Sequence, residues 1–204
     1  MDKLWNALCA LSRVAVWCGG AMLFFAAFIV TLEVLLRKGL ATLVGSSFTF
    51  SGSDEISGYL FAIGTSWSMA HVLVTRGHVR IDVLYGMLSA RTRAWLDLVA
   101  LLLLGIFVAA VVERAFDVSW TSLTEVIRSN TNLRIPLAWA QIPWLAGLVL
   151  FGLTIAVAFL RGAVALARGD LPAVAATIGI ASQDEEIASE LEGLGIAVHQ
   201  DKDH

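Results

Sequence analysis

The chain has 204 residues, of which 58% are hydrophobic and only 15% charged, with a formal net charge of −3. That balance excludes an ordinary water-soluble domain, where about 25% of residues are charged, and a nucleic-acid binder, which needs a concentrated basic surface. The charge is also uneven: residues 1–183 carry 13 basic and 10 acidic side chains, whereas residues 184–204 carry seven acidic ones against Lys202.

Four uncharged stretches, Val14–Leu32, Ile56–Thr75, Leu98–Val112 and Ile135–Leu160, organise the body of the chain. A helix rises about 1.5 Å per residue and the hydrocarbon core of a bilayer is about 30 Å thick, so roughly 20 apolar residues cross it. The second and fourth stretches meet that length, the first falls just short, and the third reaches it once Ala94–Asp97 is added. The sequence therefore predicts an all-α membrane protein with four transmembrane helices, over about 14–36, 54–75, 94–128 and 136–161, within a domain of residues 1–168. The first stretch is longer than the apolar core of a cleaved signal and runs into Glu33, Arg37 and Lys38, so it is read as a retained span. An even number of spans puts both termini on one side. Placing them inside leaves Lys3, Arg13, Arg76, Arg80, Arg91, Arg93, Arg161 and Arg168 in the inner flanks against five basic residues outside, which predicts an N-in, C-in topology.

Residues 1–13 read as a short helical lead-in. Within the first span, Gly19-Gly20 and Ala26-Ala27 form a smooth surface that another helix can approach closely. Glu33 is an acid at the outer end of that span. Arg37 follows four residues on, in the favourable acid-before-base order, so an ion pair or a tether between helices is expected rather than a transport role. After a Gly/Ser-rich loop, Ser53 suits the cap of the second span, with Asp54 and Glu55 favouring its helix dipole. His71 lies near the inner end of this span. A haem held in a bundle generally needs a pair of axial ligands, and no second histidine falls in a span, so a packing role is the stronger reading.

The loop from Gly77 carries His78, Arg80 and Asp82, which supply a single good metal nitrogen and read as a loop junction. Val83, Leu84, Met87 and Leu88 then share one face, with Arg91 and Arg93 where cations suit a helix C-terminus. This predicts a short amphipathic helix on the inner membrane surface, anchored to lipid. Along the third helix, Phe116, Trp120, Leu123 and Ile127 form an apolar stripe that continues beyond the membrane. A helix over 94–128 is about 50 Å long, so it tilts or projects outward with a stripe that needs a partner. Pro136 suits the first turn of the fourth span, and Pro143 falls inside it. Residues 169–204 form an acidic cytoplasmic tail whose composition predicts mostly disorder. Cys9 and Cys18 fit no disulfide or metal pattern. With no nucleotide, nucleophile or metal motif, the chain reads as a non-enzymatic subunit with no cofactor of its own and no nucleic-acid partner.

Glu55 opening the second span, Gly77-His78-Val79-Arg80-Ile81-Asp82 after it, and Asn132-Leu133-Arg134-Ile135-Pro136 leading to Trp139 and Pro143 together resemble the small membrane subunit of a TRAP (tripartite ATP-independent periplasmic) transporter. The resemblance covers about residues 14–161; the long loop after Arg37 and the acidic tail lie outside it. It implies a secondary, sodium-driven importer of an organic acid, such as a carboxylate, in the inner (cytoplasmic) membrane of a bacterium or archaeon. Its implied partners are a large elevator-type membrane subunit, which carries the sodium, and a periplasmic solute-binding protein. The small subunit would serve as a stator. On that view Gly19, Gly20, Ala26, Ala27, Phe116, Trp120, Leu123 and Ile127 are candidates to face the large subunit, and Arg128 and Arg134 to dock the binding protein. The alternative is a membrane anchor of a respiratory complex holding haem or quinone, which the lone His71 disfavours.

Overall fold

The computed structural model describes residues 2–40, 52–77, 88–131 and 133–179. Five α-helices account for most of them: α1 Asp2–Leu35, α2 Ser53–Val74, α3 Ala90–Thr124, α4 Ala138–Ala167 and α5 Leu171–Ile178. A π-helical turn, Leu36–Leu40, continues α1. Among the described residues there is no strand, only an isolated antiparallel bridge between Arg128 and Pro136.

Three helical stretches, Asp2–Gly39, Ala90–Thr124 and Ala138–Ala167, are long and apolar enough to cross a membrane. The remaining long helix, α2, has 22 residues and thus a length of about 33 Å, but serines and glycines dilute its apolar character. Most of its hydroxyls are satisfied locally. Ser66 donates to the Ile63 carbonyl at 2.9 Å, Ser68 to Gly64 at 2.8 Å and Thr65 to Phe61 at 2.8 Å, a return to the helix's own backbone that removes most of the cost of burying them. The expected lead-in of residues 1–13 is not separate: α1 is one continuous helix from Asp2. At 34 residues it is roughly 51 Å long, so the third helix is not alone in exceeding the bilayer.

The helices form an open layer in the order α1–α2–α4–α3. The broad contacts are α1 with α2, α2 with α4 and α4 with α3, while α1 meets α4 only marginally. Small residues make the seams. On α1, Ser12, Ala15, Gly19 and Ala26 are buried. A Cβ placed on Gly19 would lie 2.6 Å from the Gly64 carbonyl oxygen, and one on Gly64 would lie 2.8 Å from that of Gly19, so the two backbones touch. The α2–α4 crossing is built the same way. A Cβ on Gly147 would lie 2.8 Å from the backbone of Ser66 and 2.7 Å from the Trp67 ring. Beside it the Trp67 indole N–H donates to the Pro143 carbonyl at 2.8 Å. Lipid gives no hydrophobic drive for helices to meet, so close backbone packing and such hydrogen bonds hold them together. Leu98 and Leu101 of α3 pack with Phe151 and Ile155 of α4 in a hydrophobic core, while many other large side chains point outward: Trp17 is 78% exposed, and Phe24, Phe25, Phe28, Ile106 and Phe107 are also exposed.

The domain boundary expected at residue 168 moves outward. Asp170 caps α5 by accepting from the Ala173 N–H at 3.1 Å, and α5 folds back beside α4 and α3. Val174 is fully buried there, and Ile178 covers Gly162. The first residues of the expected tail are thus part of the packed layer, because Leu171, Val174 and Ile178 give one apolar face at helical spacing; residues 180–204 lie outside the described residues. At the same end α1 is fastened to α4. Arg161 pairs with Asp2 at 2.7 Å and stands 5.3 Å from the centre of the Trp5 ring.

Adjacent glycines give a sharp test of this packing. Gly19→Val should lower stability by about 1–3 kcal/mol, the range for overpacking. Gly20→Val, with nothing within 4 Å of its Cβ position, should change it by no more than about 0.5 kcal/mol. Thermal unfolding of the detergent-solubilised protein reads both; equal effects at the two positions would refute the seam.

Candidate functional site

At the end of the layer opposite α5, a hydroxyl–carboxylate cluster fastens three segments together. The Glu33 carboxylate on α1 accepts from the Ser53 hydroxyl at the start of α2. Two residues on, buried Glu55 accepts from the Tyr59 hydroxyl at 2.7 Å and from the Thr131 hydroxyl in the α3–α4 loop. Ser129 and Thr131 share a further hydrogen bond of 2.8 Å. Gly52, just before α2, has no room for a side chain because Leu133 lies over it. Ser53 therefore does not act as the expected cap: its hydroxyl is directed across to Glu33. Glu33 likewise serves as the tether between helices. No Glu33–Arg37 ion pair occurs among the described residues, and Arg37 lies in the π-helical turn, out of the regular i, i+4 register.

The α3–α4 loop is a tight hairpin rather than a continuation of α3. The helix ends at Thr124 instead of near Arg128, and Val126 and Arg134 adopt left-handed backbone angles with φ of 51° and 48°. For β-branched Val126 that conformation is costly. It is held by the Leu137 N–H donating to Ile127 at 3.0 Å and the Ser129 N–H to Ile135 at 2.9 Å. Arg128 reaches back to the Arg134 carbonyl at 3.4 Å. The two candidate docking residues are therefore neighbours, both exposed, on one hydrogen-bonded turn.

The candidate partner-facing residues divide. Gly19 and Ala26 are buried, Gly19 against the backbone of α2, so the expectation that they meet another subunit is corrected; Gly20 and Ala27 are exposed. A helix turns 100° per residue, so each adjacent pair splits between two faces. On α3 the small residues Ala115, Ser119 and Ser122 are buried, leaving Phe116, Trp120 and Leu123 outward. Phe116 and Trp120 stack with ring centres 6.1 Å apart and planes 12° from parallel. Ile127 lies past the helix end and is half-buried.

Arg91 and Arg93 are not at the end of a surface helix; they occupy the first turn of α3, which starts at Ala90 after the Ser89 cap. Of the expected surface helix, Leu88 is described, and Val83, Leu84 and Met87 lie outside the described residues, as do His78, Arg80 and Asp82 of the loop motif. Gly77 closes α2 by donating to the Val72 carbonyl at 2.9 Å, and Arg76 reaches the Ala175 carbonyl of α5 at 3.3 Å. Pro136 joins the hairpin bridge, and Pro143 lies inside α4. His71 is half-buried in α2, its Nδ1 without a hydrogen-bond partner. Among the described residues no three His, Cys, Asp or Glu side chains are grouped to hold a metal.

Sequence reasoning missed the pairing of Glu55 with Thr131 and the burial of Asp97, which is 3% exposed on the packed face of α3. Asp97 was visible as the lone carboxylate in the third stretch, one turn from Ala94 and Leu101. The Glu55 contact joins residues 76 apart, and no local pattern points to it.

Hydrogen bonds to a charged group contribute about 1.5–3 kcal/mol each. Thr131→Val should therefore destabilise the protein and free the hairpin, speeding tryptic cleavage at Arg128 and Arg134. Thr121→Val, whose hydroxyl only returns to its own helix at 2.9 Å, should leave the cleavage rate unchanged. Equal rates for the two variants would contradict the lock.

A family model described as "Tripartite ATP-independent periplasmic transporters, DctQ component" matches residues 26–165. The match runs from the middle of α1 nearly to the end of α4 and takes in the polar cluster, the hairpin and both seams of α4; it lends no support to a haem- or quinone-holding anchor. No curated protein and no solved structure matches the chain. A match over well more than half of its residues shows that the chain belongs to the DctQ component family of the tripartite ATP-independent periplasmic transporters.

Proposed function

We propose that this chain is the small permease subunit of a sodium-driven importer of an organic acid, and that it acts as a stator for a large elevator-type membrane subunit. A periplasmic binding protein delivers the carboxylate substrate, and the large subunit binds the sodium and carries the substrate across. The complex resides in the inner membrane of a bacterium or archaeon, with α2 as the fourth span and both termini inside.

The observation that supports this reading most is the outward face of α3. Phe116, Trp120 and Leu123 stay exposed although α3 buries Ala115, Ser119 and Ser122 against its own chain. A small chain that spends its small residues on internal seams and turns a stacked aromatic pair outward has the surface of a bracing subunit. Rigidity is the second requirement of a stator. Glu55, Thr131 and the Glu33–Ser53 bond hold α1, α2 and the hairpin in register, so the exposed face keeps its shape while a neighbour moves. Arg128 and Arg134, adjacent on the fixed hairpin, give the binding protein a cationic contact.

The test is reconstitution of the large subunit into liposomes with and without this chain. A sodium gradient should drive carboxylate uptake only when both are present. The double variant Phe116→Ser, Trp120→Ser should reduce recovery of the large subunit with the tagged chain by about tenfold, since losing two buried aromatic contacts costs more than 1.4 kcal/mol. Arg128→Glu with Arg134→Glu should spare that recovery and lower uptake from the binding protein. Sodium-driven uptake by the large subunit alone, at an undiminished rate, would sink the stator role.

A further inference from the structure

We propose that the groove between α3, α4 and α5 at the Arg91 end of the layer binds one anionic phospholipid, with an acyl chain along its wall and the phosphate against the Arg91 guanidinium. The groove has a volume of about 620 Å³, within the range of small-molecule sites. Trp95, Leu98, Leu102, Phe159 and Ala163 line it, together with the exposed Arg91. Its length fits one leaflet: from Arg91 to Leu102 the helix rises roughly 17 Å, about half of a hydrocarbon core of about 30 Å.

Charge selects the head group. Arg91 stands in the first turn of α3, where a cation opposes the helix dipole, and among the described residues it has neither an ion pair nor a hydrogen bond. A second groove, of about 390 Å³ beside Phe107 and Trp144, also has an arginine in its lining, but that residue, Arg114, pairs with Asp117 at 3.7 Å. The uncompensated cation is Arg91. A zwitterionic head group brings its own positive charge, whereas phosphatidylglycerol does not, so the anionic lipid is the complementary one. The site requires only that the chain be embedded in a membrane and stands apart from the transporter assembly proposed above.

Native mass spectrometry of the full chain, delipidated and then exchanged against equal phosphatidylglycerol and phosphatidylcholine of identical chains, reads the occupant directly. The wild type should retain one phosphatidylglycerol in about fivefold preference. Arg91→Gln should remove the preference, Arg114→Gln should keep it, and Ala163→Phe, which fills the wall, should remove the bound lipid. Excess water-soluble glycerophosphoglycerol should not displace the lipid. No preference in the wild type, an unchanged preference in Arg91→Gln, a retained lipid in Ala163→Phe, or displacement by the soluble head group would each overturn the proposal.

Discussion

Backbone contact between helices is the constraint on which this protein depends. In water, a helix buries its large apolar side chains and the hydrophobic effect drives the packing. Here lipid is as apolar as leucine, and that drive disappears. What remains is the approach of main chain to main chain. Gly19 against Gly64 and Gly147 against Ser66 and Trp67 set the spacing of the two central seams. The rest follows. At these contact points there is no room for a large side chain, and many aromatic residues turn outward, leaving aromatic surfaces on both edges of the layer.

Close packing alone lets helices slide, and polar contacts at the two ends fix the register. At one end Glu33, Ser53, Glu55 and Thr131 join α1, α2 and the hairpin. At the other, Arg161 holds Asp2 and Trp5, and Arg76 reaches α5. Both clasps lie toward the ends of the helices, where charged and hydroxyl side chains satisfy one another. The strained Val126 and Arg134 backbones belong to the same arrangement. They let the chain reverse over residues 125–137 and bring Thr131 over the start of α2.

Much of this was legible in the sequence. The uncharged stretches located the four long helices, and α2 began and ended within a residue of expectation, because Asp54 and Glu55 at its start and Gly77 beyond its end are strong local signals. The small residues announced close packing. They did not say against which neighbour, since Gly19 and Gly20 differ only by 100° of rotation and both lie in an apolar run. Arg91 and Arg93 misled because cations suit the end of a helix, whereas here they stand at the unfavourable start of the next, which the Ser89 cap decides. The α5 helix was hidden by the acidic composition that follows it. The lock between Glu55 and Thr131 depends on how two distant segments fold together, which no short-range pattern encodes.

The open row has a mechanical consequence. A bundle closed on itself shares a sideways push among several parallel contacts, whereas in a layer one helix thick the same push passes through the seams in series. Force applied at the α3 edge reaches α1 chiefly through α4 and then α2. Such a plate is stiff against load within its own plane and compliant to bending across it. In that series the α2–α4 seam is pinned by the Trp67 indole, whose N–H donates to the Pro143 carbonyl at 2.8 Å one turn inside α4.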